Sequence, residues 1–356
     1  MLIPDVMCGV QLVGHGGSDK LVWNETIPTP KPGPGAVLVR ILGAGVNNTD
    51  INTRIGWYAK QVTGATDSVA DDGAIEEGGW SGALSFPLIQ GGDLCGEVVA
   101  LGDGVSDPAL GRRVTCAINQ PCPSEQEPVK FKALGSELDG AFAQYCCVPA
   151  NQLFDVSRSP LTDVEIAAIP CAHGTAYNLI SRAGVSAGDR VLVTGASGGV
   201  GRAAVELAKI KGAVVTGLAG AAKQGAVTDA GADYVIDRDT RPEPRSFDVV
   251  IDVVGGQAWP TFIESLVPGG RYATSGAIAG PMVEADLRII YLSDLTIYGC
   301  TFQPRGVFAE LVDLINDGRV RPLISKTYPL ADIHRAQEDF QTKRYAGKLV
   351  LIPPGV

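Results

Sequence analysis

The chain has 356 residues, 45% of them hydrophobic, and a formal net charge of −10. This length is enough for more than one domain. The acidic balance, 39 acidic against 29 basic residues, and the lack of a basic cluster argue against nucleic acid as a partner. No stretch approaches transmembrane length, and the first residues do not resemble a signal peptide. We therefore expect a cytoplasmic protein that does not bind membranes.

The first 155 or so residues have the pattern of a β-rich domain. Stretches such as 36–42, 97–102 and 113–116 alternate like short strands and are separated by glycine and proline, which is typical of a compact barrel. Residues 59–85 differ, because they are rich in Gly, Ala, Ser and acidic residues and lack periodicity. Two interpretations of this insertion stay open: a surface loop, or a lid over a binding site.

From Gly184 onward the sequence alternates between strands and helices. Such alternation predicts a parallel sheet covered by helices. The predicted strands are 191–194, 213–218, 234–237, 248–254, 271–275 and 295–299. A helix at 306–317 and a strand at 348–352 follow, and we expect that last strand to return to the first domain because the parallel sheet is already complete.

The most informative stretch runs from Val191 to Gly201. An apolar β-branched run passes into a glycine-rich turn, and the turn opens into a segment that favours helix. Binding of a dinucleotide pyrophosphate requires this order, because glycine lets the backbone approach phosphate and a helix N-terminus offers free N–H groups.

Several separated motifs together resemble the medium-chain dehydrogenase/reductase superfamily, and within it the quinone oxidoreductase branch. The motifs are Gly45–Asp50 with Arg54–Tyr58, Gly91–Val99, Gly174–Tyr177, Ser197–Gly201 and Gly347–Leu351. The resemblance covers nearly the whole chain apart from the 59–85 insertion.

The resemblance implies an α/β protein with a GroES-like β-barrel catalytic domain and an inserted Rossmann domain that has a doubly wound parallel sheet. Residues 1–158 and 304–356 would form the first domain and residues 159–303 the NADPH-binding domain, with substrate in the cleft between them. The expected cofactor-binding residues are Thr175, Gly195, Ala196, Ser197, Gly198, Gly199, Val200, Gly201, Lys223, Arg238, Gly255 and Gly276.

The choice of cofactor depends on the end of the second Rossmann strand. Sites for NAD usually carry a carboxylate there, which bonds the ribose 2′-hydroxyl. This chain has only small residues at 219–220, and the cations Lys223 and Arg238 follow. The branch places a lysine and a tyrosine at positions that look equivalent, and Arg238 departs from the tyrosine but supplies a fork for phosphate. We expect NADPH rather than NADH.

A catalytic zinc needs three protein ligands. In zinc-bearing relatives the first ligand is a Cys, where this chain has Asn47, and the second is a His, at a position that corresponds to Asp93. Only Cys171 stands where the third would fall. We therefore expect no zinc.

The resulting hypothesis is an NADPH-dependent enzyme that passes hydride to a quinone or an α,β-unsaturated carbonyl, held by hydrogen-bond donors instead of a metal. The candidate donors are Asn47, Tyr58 and His173. Aromatic residues around the insertion suggest a small apolar or aromatic substrate. Two alternatives stay open: an alcohol dehydrogenase with zinc at an atypical site, and a non-enzymatic NADPH-binding protein.

The segment Ile289–Cys300 is apolar and β-prone. We expect it at the last edge of the Rossmann sheet, where an exposed strand invites pairing with another chain. The resemblance implies a homodimer of this type.

Overall fold

The structure, a computed structural model, describes residues 2–66, 78–80 and 82–355. The loop or lid expected at 59–85 lies largely outside the described residues. Within them, no helix combines the length and the apolar character that crossing a membrane requires.

The strands, in chain order, are β1 Val6–Leu12, β2 Leu21–Pro28, β3 Ala36–Gly45, β4 Leu88–Ile89, β5 Cys95–Leu101, β6 Arg113–Cys116, β7 Asn119–Pro121, β8 Phe131–Ala133, β9 Tyr145–Pro149, β10 Leu153–Asp155, β11 Arg190–Val193, β12 Val214–Ala219, β13 Tyr234–Asp237, β14 Phe247–Asp252, β15 Leu266–Thr274, β16 Thr296–Gly299, β17 Ile324–Pro329 and β18 Lys348–Ile352. The helices are α1 Asn48–Ile55, α2 Asp163–Ile166, α3 Pro170–Arg182, α4 Gly199–Ile210, α5 Gln224–Asp229, α6 Trp259–Glu264, α7 Leu287–Leu292, α8 Arg305–Asn316 and α9 Ile333–Gln341.

The described residues divide into two compact units. Unit 1 takes those within 1–60, 70–171 and 304–356, and unit 2 takes those within 61–69 and 172–303. The crossing that corresponds to the 158/159 boundary expected from the sequence falls later, after Cys171. The physical reason is that residues 159–171 bond within unit 1: Ser159 Oγ donates to the Ile315 carbonyl at 2.8 Å, and Arg113 pairs with Asp163 at 3.2 Å.

Unit 1 is a β structure built around one apolar core. Its largest sheet has the order β10-β6-β5-β3-β18-β17, with β9 also paired to β3, and a smaller sheet has the order β2-β1-β4. Alternate residues of β3, such as Val37, Val39 and Ile41, are buried in the core. Strand β18 pairs antiparallel with β3. The β-rich domain completed by the C-terminal strand is therefore confirmed.

Unit 2 contains a six-stranded sheet with the order β13-β12-β11-β14-β15-β16. Every neighbouring pair is parallel. The order reverses direction at β11, which is the topological switch point of a doubly wound fold. Strands β11 and β14 are almost wholly buried, as the apolar runs in their sequences predict. The expected Rossmann sheet is confirmed.

The segment Ile289–Cys300 is only partly strand. Its first residues belong to α7, because Asp286 caps that helix by accepting a hydrogen bond from the Arg288 backbone at 2.9 Å. Strand β16 then forms the edge of the sheet beside β15.

Candidate functional site

The turn between β11 and α4 has places where only glycine fits. Gly195 adopts a φ of +55°, in the left-handed region. A β-carbon on Gly201 would lie 2.2 Å from the carbonyl oxygen of Gly195, and one on Gly217 would lie 3.0 Å from the β-carbon of Ala196. These glycines allow the turn to pack directly against α4 and β12.

The same turn leaves backbone donors open to a ligand. Gly198 is the N-cap residue of α4, so the first N–H groups of that helix have no intrahelical acceptor. Ser197, Gly199 and Val200 are half-buried and Gly198 is exposed. Ala196 is different: it is fully buried and its N–H donates to the Leu218 carbonyl at 3.0 Å, so it holds the turn in place. The residues present fit the pyrophosphate of a dinucleotide.

A buried carboxylate organises the strand ends beside this turn. Asp252 at the end of β14 accepts hydrogen bonds from Thr194 Oγ1 and from the Tyr272 hydroxyl, each at 2.5 Å. It also accepts from the Val254 and Gly255 backbones at 2.8 and 3.2 Å. Burial and the Asp252 charge raise the pKa of Tyr272, which keeps that hydroxyl protonated as a donor. The carboxyl ends of three parallel strands are thereby fixed relative to one another.

Two further expected cofactor residues lie at these strand ends. Gly255 follows β14 with a φ of +62°, and a β-carbon there would lie 3.2 Å from the β-carbon of Ala277. Gly276 follows β15, and a β-carbon there would lie 3.2 Å from the Val253 carbonyl oxygen. Thr175 on α3 is half-buried, whereas its neighbours between 172 and 180 are buried.

Lys223 and Arg238 are brought together past the ends of β12 and β13. The Arg238 guanidinium lies 3.8–4.0 Å from where a β-carbon of Gly220 would be. Burial, and then the Arg238 charge, lower the pKa of Lys223. Two cations whose charges repel each other are thus held beside a strand end that carries no carboxylate.

In unit 1, Asn47, Asp93 and Lys348 form a buried polar cluster. The Lys348 ammonium donates to Asn47 Oδ1 and lies 2.9 Å from Asp93 Oδ2. The Asn47 amide donates to Asp93 Oδ2 at 2.8 Å and to the Gly45 carbonyl at 3.3 Å. Asp93 Oδ1 accepts the Cys171 backbone N–H at 2.5 Å. Both amide hydrogens of Asn47 therefore have acceptors within the protein, and donation by Asn47 to a substrate stays a prediction.

This cluster does not fit a zinc ion. Of the three positions that hold zinc in zinc-bearing relatives, Asn47 and Asp93 already bind the Lys348 ammonium, and Cys171 contacts Asp93 through its backbone. A resident ammonium repels a metal cation and supplies the charge that Asp93 needs. Throughout the part of the chain that the structure describes, no group of three His, Cys, Asp or Glu residues is placed to hold a metal.

Asp50 lies beside this cluster and caps α1. Its Oδ2 accepts the Asn47 backbone N–H at 2.7 Å. Burial raises the pKa of Asp50 to about 7, and the Asp93 charge adds to the rise, while the backbone bonds and Lys348 oppose it. Asp50 consequently changes charge near neutral pH.

Tyr58 belongs to a second cluster in unit 1, with Thr49 and Trp80. The Tyr58 hydroxyl lies 2.9 Å from Thr49 Oγ1, and the Trp80 indole donates to Thr49 Oγ1 at 2.8 Å. The Tyr58 and Trp80 rings meet edge to face at 5.7 Å. Burial raises the pKa of Tyr58 to about 12, so the hydroxyl stays protonated. Tyr58 therefore keeps the chemistry of a hydrogen-bond donor.

His173 is placed elsewhere, in unit 2. Its Nε2 lies 3.1 Å from Glu206 Oε2 on α4, and only 3% of its surface is exposed. Its Nδ1 has no partner among the residues that the structure describes. The ring joins α3 to α4 through the contact of its Nε2 with Glu206, and donation by His173 to a substrate stays a prediction.

Three residues of these clusters were not expected from the sequence: Lys348, Thr49 and Trp80. Lys348 directly precedes the apolar run Leu349–Leu351, and a charged residue at the start of such a run was a signal that the prediction from sequence did not use. Trp80 lies in the insertion that has no counterpart in the resemblance, so no motif pointed to its bond with Thr49.

Two family models match this chain. The model described as alcohol dehydrogenase GroES-like domain matches residues 33–158, and the model described as zinc-binding dehydrogenase matches residues 230–351. Together they cover parts of both units.

Individual relatives match over nearly the full length. A solved protein from Sinorhizobium meliloti 1021, assigned as an alcohol dehydrogenase, is 38% identical, with 99% of this chain and 98% of that chain covered and a TM-score of 0.86. Acryloyl-coenzyme A reductase of Metallosphaera sedula is 28% identical, with 91% of this chain and 94% of the relative covered. A 2-octenoyl-CoA carboxylase reductase solved with NADP and 2-octenoyl-CoA is 25% identical, with 99% and 88% covered and a TM-score of 0.83.

Proposed function

Because this chain belongs to the medium-chain dehydrogenase/reductase superfamily, we propose that it reduces α,β-unsaturated carbonyl compounds or quinones with NADPH and without a catalytic zinc. The observation that carries the proposal is the buried Lys348 ammonium between Asn47 and Asp93. Without a metal to polarise a simple carbonyl, hydride transfer favours acceptors that spread the developing charge over a conjugated system.

The Rossmann turn would hold the cofactor. The open N–H groups at the start of α4 suit its pyrophosphate, and Thr175, Gly255 and Gly276 are candidates for the nicotinamide side. Bound NADPH would supply a hydride to the β-carbon of the acceptor; the C=C pair would then shift to the bond with the carbonyl carbon and the C=O pair to the oxygen, and a proton from solvent would convert the resulting enolate to product.

Preference for NADPH is supported by Lys223 and Arg238. These cations lie where a 2′-phosphate would neutralise their mutual repulsion, and the end of β12 has no carboxylate to bind a free ribose hydroxyl. The relative solved with NADP supports the same choice.

Reduction of a conjugated carbonyl is supported by two observations. Tyr58 keeps a protonated hydroxyl, while Asn47 and His173 are engaged in internal bonds. Two relatives named above are reductases of acryloyl- and 2-octenoyl-CoA, which are unsaturated thioesters. We therefore place an α,β-unsaturated carbonyl ahead of a quinone as the substrate class.

The test measures NADPH oxidation with cyclohexenone, an acryloyl thioester or naphthoquinone as the acceptor. The loss of NADPH absorbance reports the rate. Cyclohexanone is the matched control, because it lacks only the conjugated double bond. We expect turnover with the conjugated acceptors and little with the control. Oxidation of simple alcohols without enone reduction would favour the alcohol dehydrogenase, and tight NADPH binding without any turnover would favour a non-enzymatic binder.

We also propose that the chain forms a homodimer through the β16 edge of unit 2. Several large apolar side chains around that edge are exposed, including Leu287, Tyr291, Leu292 and Ile297 at 67%, 62%, 73% and 43%. An exposed apolar group of this kind beside an unpaired strand favours association with a second copy.

A further inference from the structure

Helix α3 carries Thr175, a candidate for the nicotinamide side of the cofactor, and a buried bond joins this helix to α4. The Nε2 atom of His173 lies 3.1 Å from Glu206 Oε2, and the two side chains are 3% and 14% exposed. A carboxylate can only accept a hydrogen bond, so the ring nitrogen donates. Because the bond is shielded from water, it is stronger and more directional than the same contact on a surface.

Two further bonds join α3 to the segment that follows β16. The Gln303 side chain donates from Nε2 to the Gly174 carbonyl at 3.0 Å, and Asn178 Nδ2 donates to the Phe302 carbonyl at 3.2 Å. Gln303 and Asn178 are both buried. The bonded residues of α3 therefore lie directly before Thr175 and about one turn after it, which fixes the position of that side chain.

Helix α4, at the other end of the bond, is fixed to the parallel sheet. Its apolar side chains, including Val205 and Leu207, are buried, and it begins at Gly199 with the N–H groups that suit a pyrophosphate. Glu206 stands about two turns into this helix, about 10 Å along its axis from Gly199. The bond to His173 therefore relates the nicotinamide side of the proposed cofactor site to its pyrophosphate side.

We propose that His173 and Glu206 form a positioning pair, which acts through Thr175 to set where the nicotinamide ring of NADPH lies relative to its pyrophosphate. Neither side chain has to touch the reacting atoms. Hydride transfer is sensitive to such placement, since a misplacement of about 1 Å can cost a factor of about 100 in rate. The phosphate contacts of the cofactor come from α4 and from Lys223 and Arg238, so the pair governs kcat rather than affinity. This inference rests on the proposed reduction with NADPH.

Leucine and glutamine variants separate the bond from the size of the side chain. His173→Leu and Glu206→Leu each remove the bond, and we expect kcat for cyclohexenone to fall about 10- to 100-fold in each. His173→Gln keeps a donor, because glutamine Nε2 reaches about as far from the backbone as histidine Nε2, and its kcat should stay within about 3-fold of the wild type. The Kd for NADPH should change by less than about 3-fold in all three variants.

The double variant His173→Leu with Glu206→Leu separates positioning from stability. Each single leucine variant buries one polar group without the partner that it has here, which lowers the melting temperature. In the double variant both groups are apolar, so we expect the melting temperature to recover. The bond is still absent, so kcat should remain as low as in the single variants.

The experiment measures kcat, the Kd for NADPH and the melting temperature of the wild type and the four variants. NADPH carrying deuterium at the transferred position adds a second readout. Its isotope effect on kcat should rise in the leucine variants, because hydride transfer then limits the rate in place of product release. His334→Gln is the matched control, since it makes the same change on α9 of unit 1, and we expect it to alter none of these quantities.

The outcomes separate this inference from the proposed function. A low kcat in the three leucine variants, with a near-normal Kd and recovery in His173→Gln, supports the positioning pair. A kcat that is unchanged in the leucine variants, that recovers with the melting temperature in the double variant, or that falls only as NADPH affinity falls overturns the pair and leaves the proposed function standing. A wild type that reduces none of the conjugated acceptors overturns the proposed function, and the positioning pair with it.

Discussion

Lys348 and Asp93 are both almost completely buried, at 3% and 0% exposure. Removing two charges from water is costly, and the cost is offset only when the pair is close and the remaining polar atoms are bonded. Here the carboxylate receives bonds from the ammonium, the Asn47 amide and the Cys171 backbone. The negative charge of Asp93 is therefore neutralised by Lys348, a group of the protein itself.

Lys348→Met should leave Asp93 buried without a counter-charge. We expect the free energy of unfolding to fall by about 3–5 kcal/mol, measured by chemical denaturation. Asp93→Asn together with Lys348→Met removes both charges, and the Asn47 amide can turn to accept from the new amide. The double variant should therefore be more stable than Lys348→Met alone. If adding Asp93→Asn gives no recovery, the ion pair is not what the cluster depends on.

Asp50 predicts a specific pH dependence of stability. Burial raises the pKa of its carboxyl to about 7 in the folded state, above the value in an unfolded chain. The folded protein then binds the Asp50 proton more tightly, so this contribution to stability is complete below about pH 4 and is lost as the pH rises through about 7. Between about pH 5.5 and about pH 8 the loss amounts to about 2 kcal/mol.

Asp50→Asn isolates that contribution. The amide oxygen can still accept the Asn47 backbone N–H and cap α1, but it does not titrate. Chemical denaturation of both proteins at the two pH values should show the wild type losing about 2 kcal/mol more than the variant. Parallel changes in the two proteins would refute a titrating Asp50.

At the scale of elements, the cofactor site is a property of strand ends and of one helix start. Strands β11, β14 and β15 are tied together through Asp252, and α4 begins at the glycine turn. The two cations are positioned by short segments, since Lys223 follows β12 and Arg238 follows β13. The proposed preference for phosphate therefore depends on two separate connections of the sheet.

Lys223→Ala and Arg238→Gln should weaken NADPH without affecting NADH. We expect each change to raise KM for NADPH about 10-fold, because each removes a charged bond to the 2′-phosphate. Arg241→Gln is the matched control, since Arg241 is another exposed arginine of unit 2 and its guanidinium pairs with Glu264 on α6. Equal effects on the two cofactors would show that these cations do not contact the 2′-phosphate.

Much of the element order could be predicted from the sequence. The strands of unit 2 coincide with apolar runs in the sequence. The turn at 195–201 could be predicted because it contains glycines at positions where a larger residue would not fit. The clusters of unit 1 could not be predicted in the same way. Lys348 meets Asp93 across 255 residues and Trp80 meets Thr49 across 31, and no local pattern encodes such contacts.

At the scale of the whole molecule, the exposed edge of unit 2 predicts association. Strand β16 pairs with β15 on one side, and α7 beside it presents Tyr291 and Leu292 to solvent. A monomer would leave this apolar group in water, which costs free energy that a second copy removes.

Leu292→Glu should weaken the dimer by placing a charge in the interface. Light scattering should give twice the chain mass of 37.0 kDa for the wild type and a lower average mass for the variant. Leu110→Glu is the control, because Leu110 is 59% exposed in unit 1, away from this edge in sequence. Equal masses for both variants and the wild type would place any interface elsewhere.

The central claim is hydride transfer from NADPH to a conjugated carbonyl without zinc. The most direct measurement is the rate of cyclohexenone reduction after dialysis against a chelator, with zinc counted in the same sample. Undiminished turnover at zinc far below one per chain is the predicted result, since Lys348 already neutralises Asp93. Turnover that is lost on dialysis and restored by zinc would contradict the account.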